Sequence, residues 1–154
     1  MPYRTKQHGF SLIEVMVAMI IFAIGLLGVA GLMASNMGFT SSSQFRTQAN
    51  FLAYDILDRM RTNPTVARTG AYNTGFGDNP AGASCYNTAC TPGAIATADL
   101  AEWKGSLSTM LPSGQGSVEL ITVGGRPIHV VRVRWQESSA IEGELPTLTV
   151  RSEL

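Results

Sequence analysis

Apolar positions change their spacing along this chain, and each spacing predicts a different element. From Val15 to Ala34 the sequence reads VMVAMIIFAIGLLGVAGLMA, 20 residues without charge or proline. At about 1.5 Å rise per residue a helix of this length spans about 30 Å, the thickness of a bilayer's hydrocarbon core. The run therefore reads as a membrane helix. A core helix of a soluble protein is the competing reading, but such a helix ordinarily keeps a polar stripe, which is missing here. Further along, Phe45, Ala49, Leu52, Ala53, Ile56 and Met60 recur at steps of three and four, with Arg46, Asn50, Asp55, Asp58, Arg59 and Arg61 on the other faces. That pattern traces one buried helical face. Asn63-Pro64 predicts the stop, because proline disfavours helix at the residue before it. One helix from Phe10 to Thr62 would be about 80 Å long, lipid- or subunit-facing in its first half and packed on a globular part in its second.

The spacing then changes again. Thr65–Ser84 is rich in Gly, Asn, Thr, Ala and Pro and shows no period. It reads as a long surface-exposed or binding loop. Thr91-Pro92 fits a helix start, with threonine as cap and proline at the first helical position. Ile95, Leu100, Trp103, Leu107, Met110 and Leu111 suit an amphipathic helix ending near Pro112, and Trp103 reads as core. Three strands follow: an alternating run Ser117–Thr122, then Ile128–Trp135 across a tight turn at Gly124-Gly125, then Leu145–Arg151. In the second, Val131, Val133 and Trp135 oppose Arg132 and Arg134. The arginines admit an anionic ligand, but a solvated outer strand face is the simpler reading. The predicted fold class is α+β: a long N-terminal helix packed on a small antiparallel sheet with one additional helix.

Charge orients this plan. Arg4 and Lys6 precede the apolar run without an acid beside them, and short basic flanks stay in the cytoplasm. The chain from about Phe39 onward is then periplasmic or extracellular. Cys85 and Cys90 would lie where disulfides persist, and a bond between them is expected. It would close a small loop over Tyr86-Asn87-Thr88-Ala89 and stabilise modestly. Zinc is not expected, since two cysteines with only His8 and His129 elsewhere make a poor ligand set. The chain carries 11 basic and 11 acidic residues for a formal net charge of zero. Nothing in that balance drives nucleic-acid binding through phosphates.

An ordinary secretory signal would also begin basic and then apolar. Here the apolar run exceeds the roughly 7–15 residues of a signal's hydrophobic region, and a carboxylate, Glu14, stands at its head. An ionised carboxylate at membrane depth costs a few kcal/mol, so it needs a partner. Snorkelling of Glu14 to the interface is the plainer alternative. The segment GFSLIEVMVA, Gly9 to Ala18, resembles the cleavage motif of type IV prepilins and pseudopilins. The resemblance implies a cut between Gly9 and Phe10 by prepilin peptidase, then methylation of the new terminus at Phe10. It also implies that Glu14 meets the terminal amine of a neighbouring subunit during assembly. The physics of each position agrees. Gly9 lets a protease approach the backbone closely. Cleavage frees an α-amine with a pKa near 8, a cation suited to pair with Glu14. Such a pair acts more as a register device than as a source of affinity. Many pilins carry a proline near the position of Gly31; this chain has none. Gly25, Gly28, Gly31 and Gly38 instead predict a glycine-rich stretch that softens or unwinds when subunits pack.

The whole arrangement resembles PilV-type minor pilins, through AYDILDRMR at Ala53–Arg61, CTPGAIATADLAEW at Cys90–Trp103 and VRVRW at Val131–Trp135. It implies a leader at 1–9, a long helix over 10–63 that spans the membrane at about 12–34, and a globular domain over 64–154. It implies a low-copy subunit that initiates or modifies pilus assembly, with effects on adhesion or twitching motility. The implied partners are prepilin peptidase, major and minor pilins through the N-terminal helix, an assembly platform and the bacterial inner membrane, before export to the pilus and cell surface. No cofactor is implied. A minor pseudopilin of type II secretion shares the same anchor and is the alternative. A tethered or secreted binding domain is a third reading, with Val29-Ala30-Gly31 as a weak signal-peptidase site. Catalysis is not expected: Asp55 and Asp58 fall among polar helix positions, and His129 stands in a strand with no signature around it.

Overall fold

The computed structural model describes residues 9–82, 85, 89–137 and 145–154, and for 35–40 the backbone alone. Most of the expected leader, with Arg4, Lys6 and His8, lies outside the described residues, as do Tyr86-Asn87-Thr88. The chain forms two compact units, Met1–Thr40 and Ser41–Leu154. In order, the elements are α1 (Leu12–Thr62), α2 (Pro64–Ala67), α3 (Pro92–Met110), β1 (Gln115–Val123), β2 (Arg126–Arg134) and β3 (Thr147–Glu153). This is the expected α+β architecture, with the four-residue α2 added.

In the first unit, α1 carries an apolar span Leu12–Ala34 of 23 residues, none of it buried. The helix runs unbroken through Gly25, Gly28 and Gly31, where an added Cβ would meet nothing within 4 Å. The chain by itself therefore gives these glycines no packing role.

In the second unit, the predicted stripe is the core. Ala49, Leu52, Ala53, Ile56 and Met60 are buried, joined by Leu57, and Phe45 packs at the margin. Helix α3 starts as its sequence requires. The Thr91 hydroxyl accepts from the Ala94 N–H, and Pro92 occupies the first turn. Its buried face is Ala96, Leu100, Trp103 and Leu107, continued by Leu111 just past the helix end. Two expected face members are corrected here: Ile95 and Met110 are exposed, at 36% and 55%. Ile95 sits one position off the 96–100–103–107 line, and Met110, three residues beyond Leu107, is the last residue of the helix. The Trp103 indole N–H donates to the Leu52 carbonyl at 2.8 Å and so fixes α3 on α1.

The sheet is antiparallel with order β1-β2-β3. Gly124 and Gly125 both take positive φ, 60° and 80°, which a two-residue primed hairpin turn requires. Val118, Val131, Val133 and Trp135 join the core from the sheet side. The strands β1 and β2 are longer at their hairpin ends than the alternation indicated, and Trp135 falls just beyond β2.

The stretch expected to be a surface loop is corrected most. Within it, Ala67 and Tyr72 are fully buried, and Thr74 is 9% exposed. Thr74 exchanges two backbone hydrogen bonds with Val118, both 2.9 Å, and the Asn73 side chain accepts from the Leu120 N–H at 2.8 Å. These bonds lie far apart in sequence, so no local period announces them. They also cover part of the β1 edge, which would otherwise present unpaired backbone groups.

Candidate functional site

The N-terminal constellation is built by the first turn of α1. The Ser11 carbonyl accepts from the N–H groups of Glu14 and Val15, at 3.1 and 3.3 Å, which starts the helix there. Gly9 and Phe10 precede it in irregular backbone, and Phe10 is 85% exposed. Residues four apart share a helix face. Glu14 therefore stands above Ala18 and Phe22, and with Phe10, Val15 and Met19 they line an open concavity of about 500 Å³. Glu14 lies in the first turn, where a carboxylate complements the helix dipole. It is also the only charged residue of the Leu12–Ala34 span. A carboxylate set among apolar side chains calls for a cation once water is removed.

A family model described as the prokaryotic N-terminal methylation motif matches residues 4–30. The chain carries a prepilin methylation motif. The matched stretch contains Gly9, Phe10 and Glu14 and most of the apolar span. It indicates a type IV pilin or pseudopilin, a type of structural subunit. The prepilin motif further implies processing by prepilin peptidase, association with pilins, and membrane anchoring through the apolar helix. Neither the comparison with curated proteins nor that with solved structures finds a match.

Beyond the motif, the second unit holds a polar cluster. Arg59 of α1 pairs with Asp55 at 3.1 Å, and with Glu102 and Asp99 of α3 at 2.7 and 3.4 Å. The hydrogen bond that Arg59 donates to Glu102 holds the guanidinium above the ordinary arginine range, against the opposing effect of burial. The Tyr72 hydroxyl donates to Asp99 at 2.7 Å. Burial first, then this bond, pushes the Tyr72 phenol up to about 12. The Asn63 side chain donates to the Pro92 carbonyl at 2.8 Å. Together these groups tie α1, α3 and the segment between them. Asp55 and Arg59 stood among the polar positions of the predicted helix; their meeting with Asp99 and Glu102 across two helices was not legible in the sequence.

Two further groups fall into place. Cys85 and Cys90 form the expected disulfide, which closes just before the α3 cap. His129, unassigned from sequence, is fully buried, and its Nε2 lies 3.0 Å from the Ala67 carbonyl oxygen. It therefore ties β2 to α2. Among the described residues, no group of three or more His, Cys, Asp or Glu could hold a metal ion.

Proposed function

We propose that this chain is a minor pilin of a type IV pilus, of the PilV type, that helps to initiate or modify filament assembly. Prepilin peptidase cuts between Gly9 and Phe10 and methylates Phe10. The mature subunit waits in the inner membrane with residues 64–154 in the periplasm, then enters the pilus through the assembly platform. Glu14 meets the amine of a neighbouring pilin and sets the axial register.

The observation that carries this reading is the pairing of the methylation motif with a wholly exposed apolar span whose one charge is Glu14. The Cys85–Cys90 disulfide fits an oxidising compartment outside the cytoplasm. An added Cβ at Gly9 would meet nothing within 4 Å, so the chain itself imposes no need for glycine there. A requirement imposed by the peptidase accounts for it. Minor pseudopilins of type II secretion share the motif; the segments at Ala53–Arg61, Cys90–Trp103 and Val131–Trp135 favour the pilus.

Mass spectrometry of the protein from membranes of its native host tests the reading. The expected terminus is N-methylated Phe10. A terminus at Leu32 would mean an ordinary secreted domain, and an uncut Met1 would mean a static tether; both results refute filament assembly.

A further inference from the structure

The turn that follows Tyr72 is held from three sides. Thr74 is paired with Val118 at the β1 edge. The Asp78 carboxylate accepts from the Gly75 N–H and, at 3.3 Å, from the Thr74 hydroxyl. From α3, the Lys104 ammonium donates to the Gly75 and Phe76 carbonyls. The Arg134 guanidinium stacks 4.0 Å from the centroid of the Phe76 ring. The turn is therefore a fixed wall, and between it and the outer face of β1 and β2 lies an open cavity of about 480 Å³. That volume is in the range of small-molecule sites.

The polar groups that line this cavity are half used. Among the described residues, Asp78 engages Oδ2 and leaves Oδ1 without a hydrogen bond. Glu119 engages Oε2 and Arg132 engages Nη1, in their mutual 3.0 Å bond, leaving Oε1 and Nη2 spare. Asn73 spends Oδ1 on Leu120 and leaves Nδ2 spare. Ser117 backs the cavity at 6% exposure, with its hydroxyl closed off from solvent.

We propose that this cavity binds a neutral saccharide. The lining has two carboxylates against the Arg132 cation, with the Arg134 cation beside Phe76. An anion would meet Asp78 and Glu119, and a metal cation would meet the guanidinium. A neutral ligand escapes both repulsions. The spare arms comprise both acceptors and donors, and a sugar hydroxyl is both at once. Neighbouring ring hydroxyls bridge the Glu119–Arg132 pair through charge-assisted bonds. A C–H face of the sugar packs against the Phe76 ring. The inference stands on the second unit alone and does not depend on the filament reading.

Saturation-transfer NMR on the full chain tests it, in a detergent without a sugar head group, with glucose, galactose, mannose, lactose and maltose as probes. At least one of them is expected to receive saturation. Glu119→Gln is expected to weaken that binding about fivefold, one charge-assisted bond reduced to an ordinary one, with little change in melting temperature, because the carboxylate is 53% exposed. Arg132→Gln is expected to weaken it as well. Absence of transfer to all five sugars overturns the proposal. So does binding unchanged in both variants, or transfer only to sialyllactose or to a tripeptide, which would assign the cavity to an anion or a chain segment.

Discussion

Gly116→Ala is a severe test of how the second unit is packed. Gly116 is buried in β1, opposite Val133. A Cβ added there would lie 2.3 and 2.8 Å from Cη2 and Cζ2 of Trp103, and 2.5 Å from Cδ1 of Leu107. Carbon atoms pack at about 3.5–4.0 Å, so something must move by more than an ångström. Trp103 cannot easily yield: it is fully buried, and its N–H is held by the Leu52 carbonyl. Overpacking a tight core costs about 1–3 kcal/mol, and two close contacts with a fixed indole plus one with Leu107 put this site at the upper end. At about 4 °C per kcal/mol, the melting temperature falls by about 12 °C. Trp103→Phe removes the second ring and thus the two clashing tryptophan atoms. Alone it costs about 2 kcal/mol, from lost packing and the lost bond to Leu52. In combination the two changes relieve each other, and the double variant is more stable than additivity predicts by at least about 1 kcal/mol. Near-ultraviolet circular dichroism melts of the full chain in micelles measure all four proteins. A single variant within 3 °C of wild type, or a strictly additive pair, would refute the close packing of β1 on Trp103.

The Tyr72 phenol, raised from 10.0 to about 12 in the fold, favours its neutral form there. Its stabilisation is whole below about pH 10 and is lost as pH rises through about 12; Tyr72→Phe should flatten that alkaline loss and cost about 1–2 kcal/mol at neutral pH, both read from melts across pH. Reducing the Cys85–Cys90 bond, whose partners are five residues apart, should lower stability by about 2 kcal/mol in a thermal melt; an unchanged melt refutes a stabilising role. Glu14→Ala should leave cleavage largely intact while depleting the subunit from sheared filaments on immunoblots. Gly9→Val should retain an uncut membrane precursor, and its normal incorporation into filaments would sink the processing argument.

What the sequence made legible were features whose cause is local. The Ala49–Met60 stripe, the Thr91-Pro92 start and the Gly124-Gly125 turn each depend on a few adjacent residues, and each is where local chemistry predicted. The Thr65–Ser84 stretch failed for the opposite reason. Its order comes from Tyr72 reaching Asp99, Asn73 reaching Leu120 and Thr74 reaching Val118, all distant in sequence. A run of Gly, Asn and Thr looks the same whether solvent or a sheet edge satisfies its backbone. Arg132 and Arg134 show the same limit. Alternation put both on the outer strand face, but only the fold brings Phe76 onto Arg134 and Glu119 onto Arg132.

The apolar span itself argues for what must cover it. Fifteen large apolar side chains between Leu12 and Met33 are exposed in the isolated chain. At about 1.5–3 kcal/mol for each, leaving them in water costs about 30 kcal/mol, well above the roughly 5–15 kcal/mol that stabilises a domain. Lipid or other helices must therefore enclose them. Between those two covers, hydrophobicity decides little, because lipid tails are as apolar as leucine. The residue that separates them is Glu14. In lipid its carboxylate costs a few kcal/mol. Against the amine of a neighbouring subunit that cost is offset by pairing, provided the two chains stand in one axial register. On the filament reading, the bulk of the span supplies the need for an enclosure, and its single charge selects a protein one.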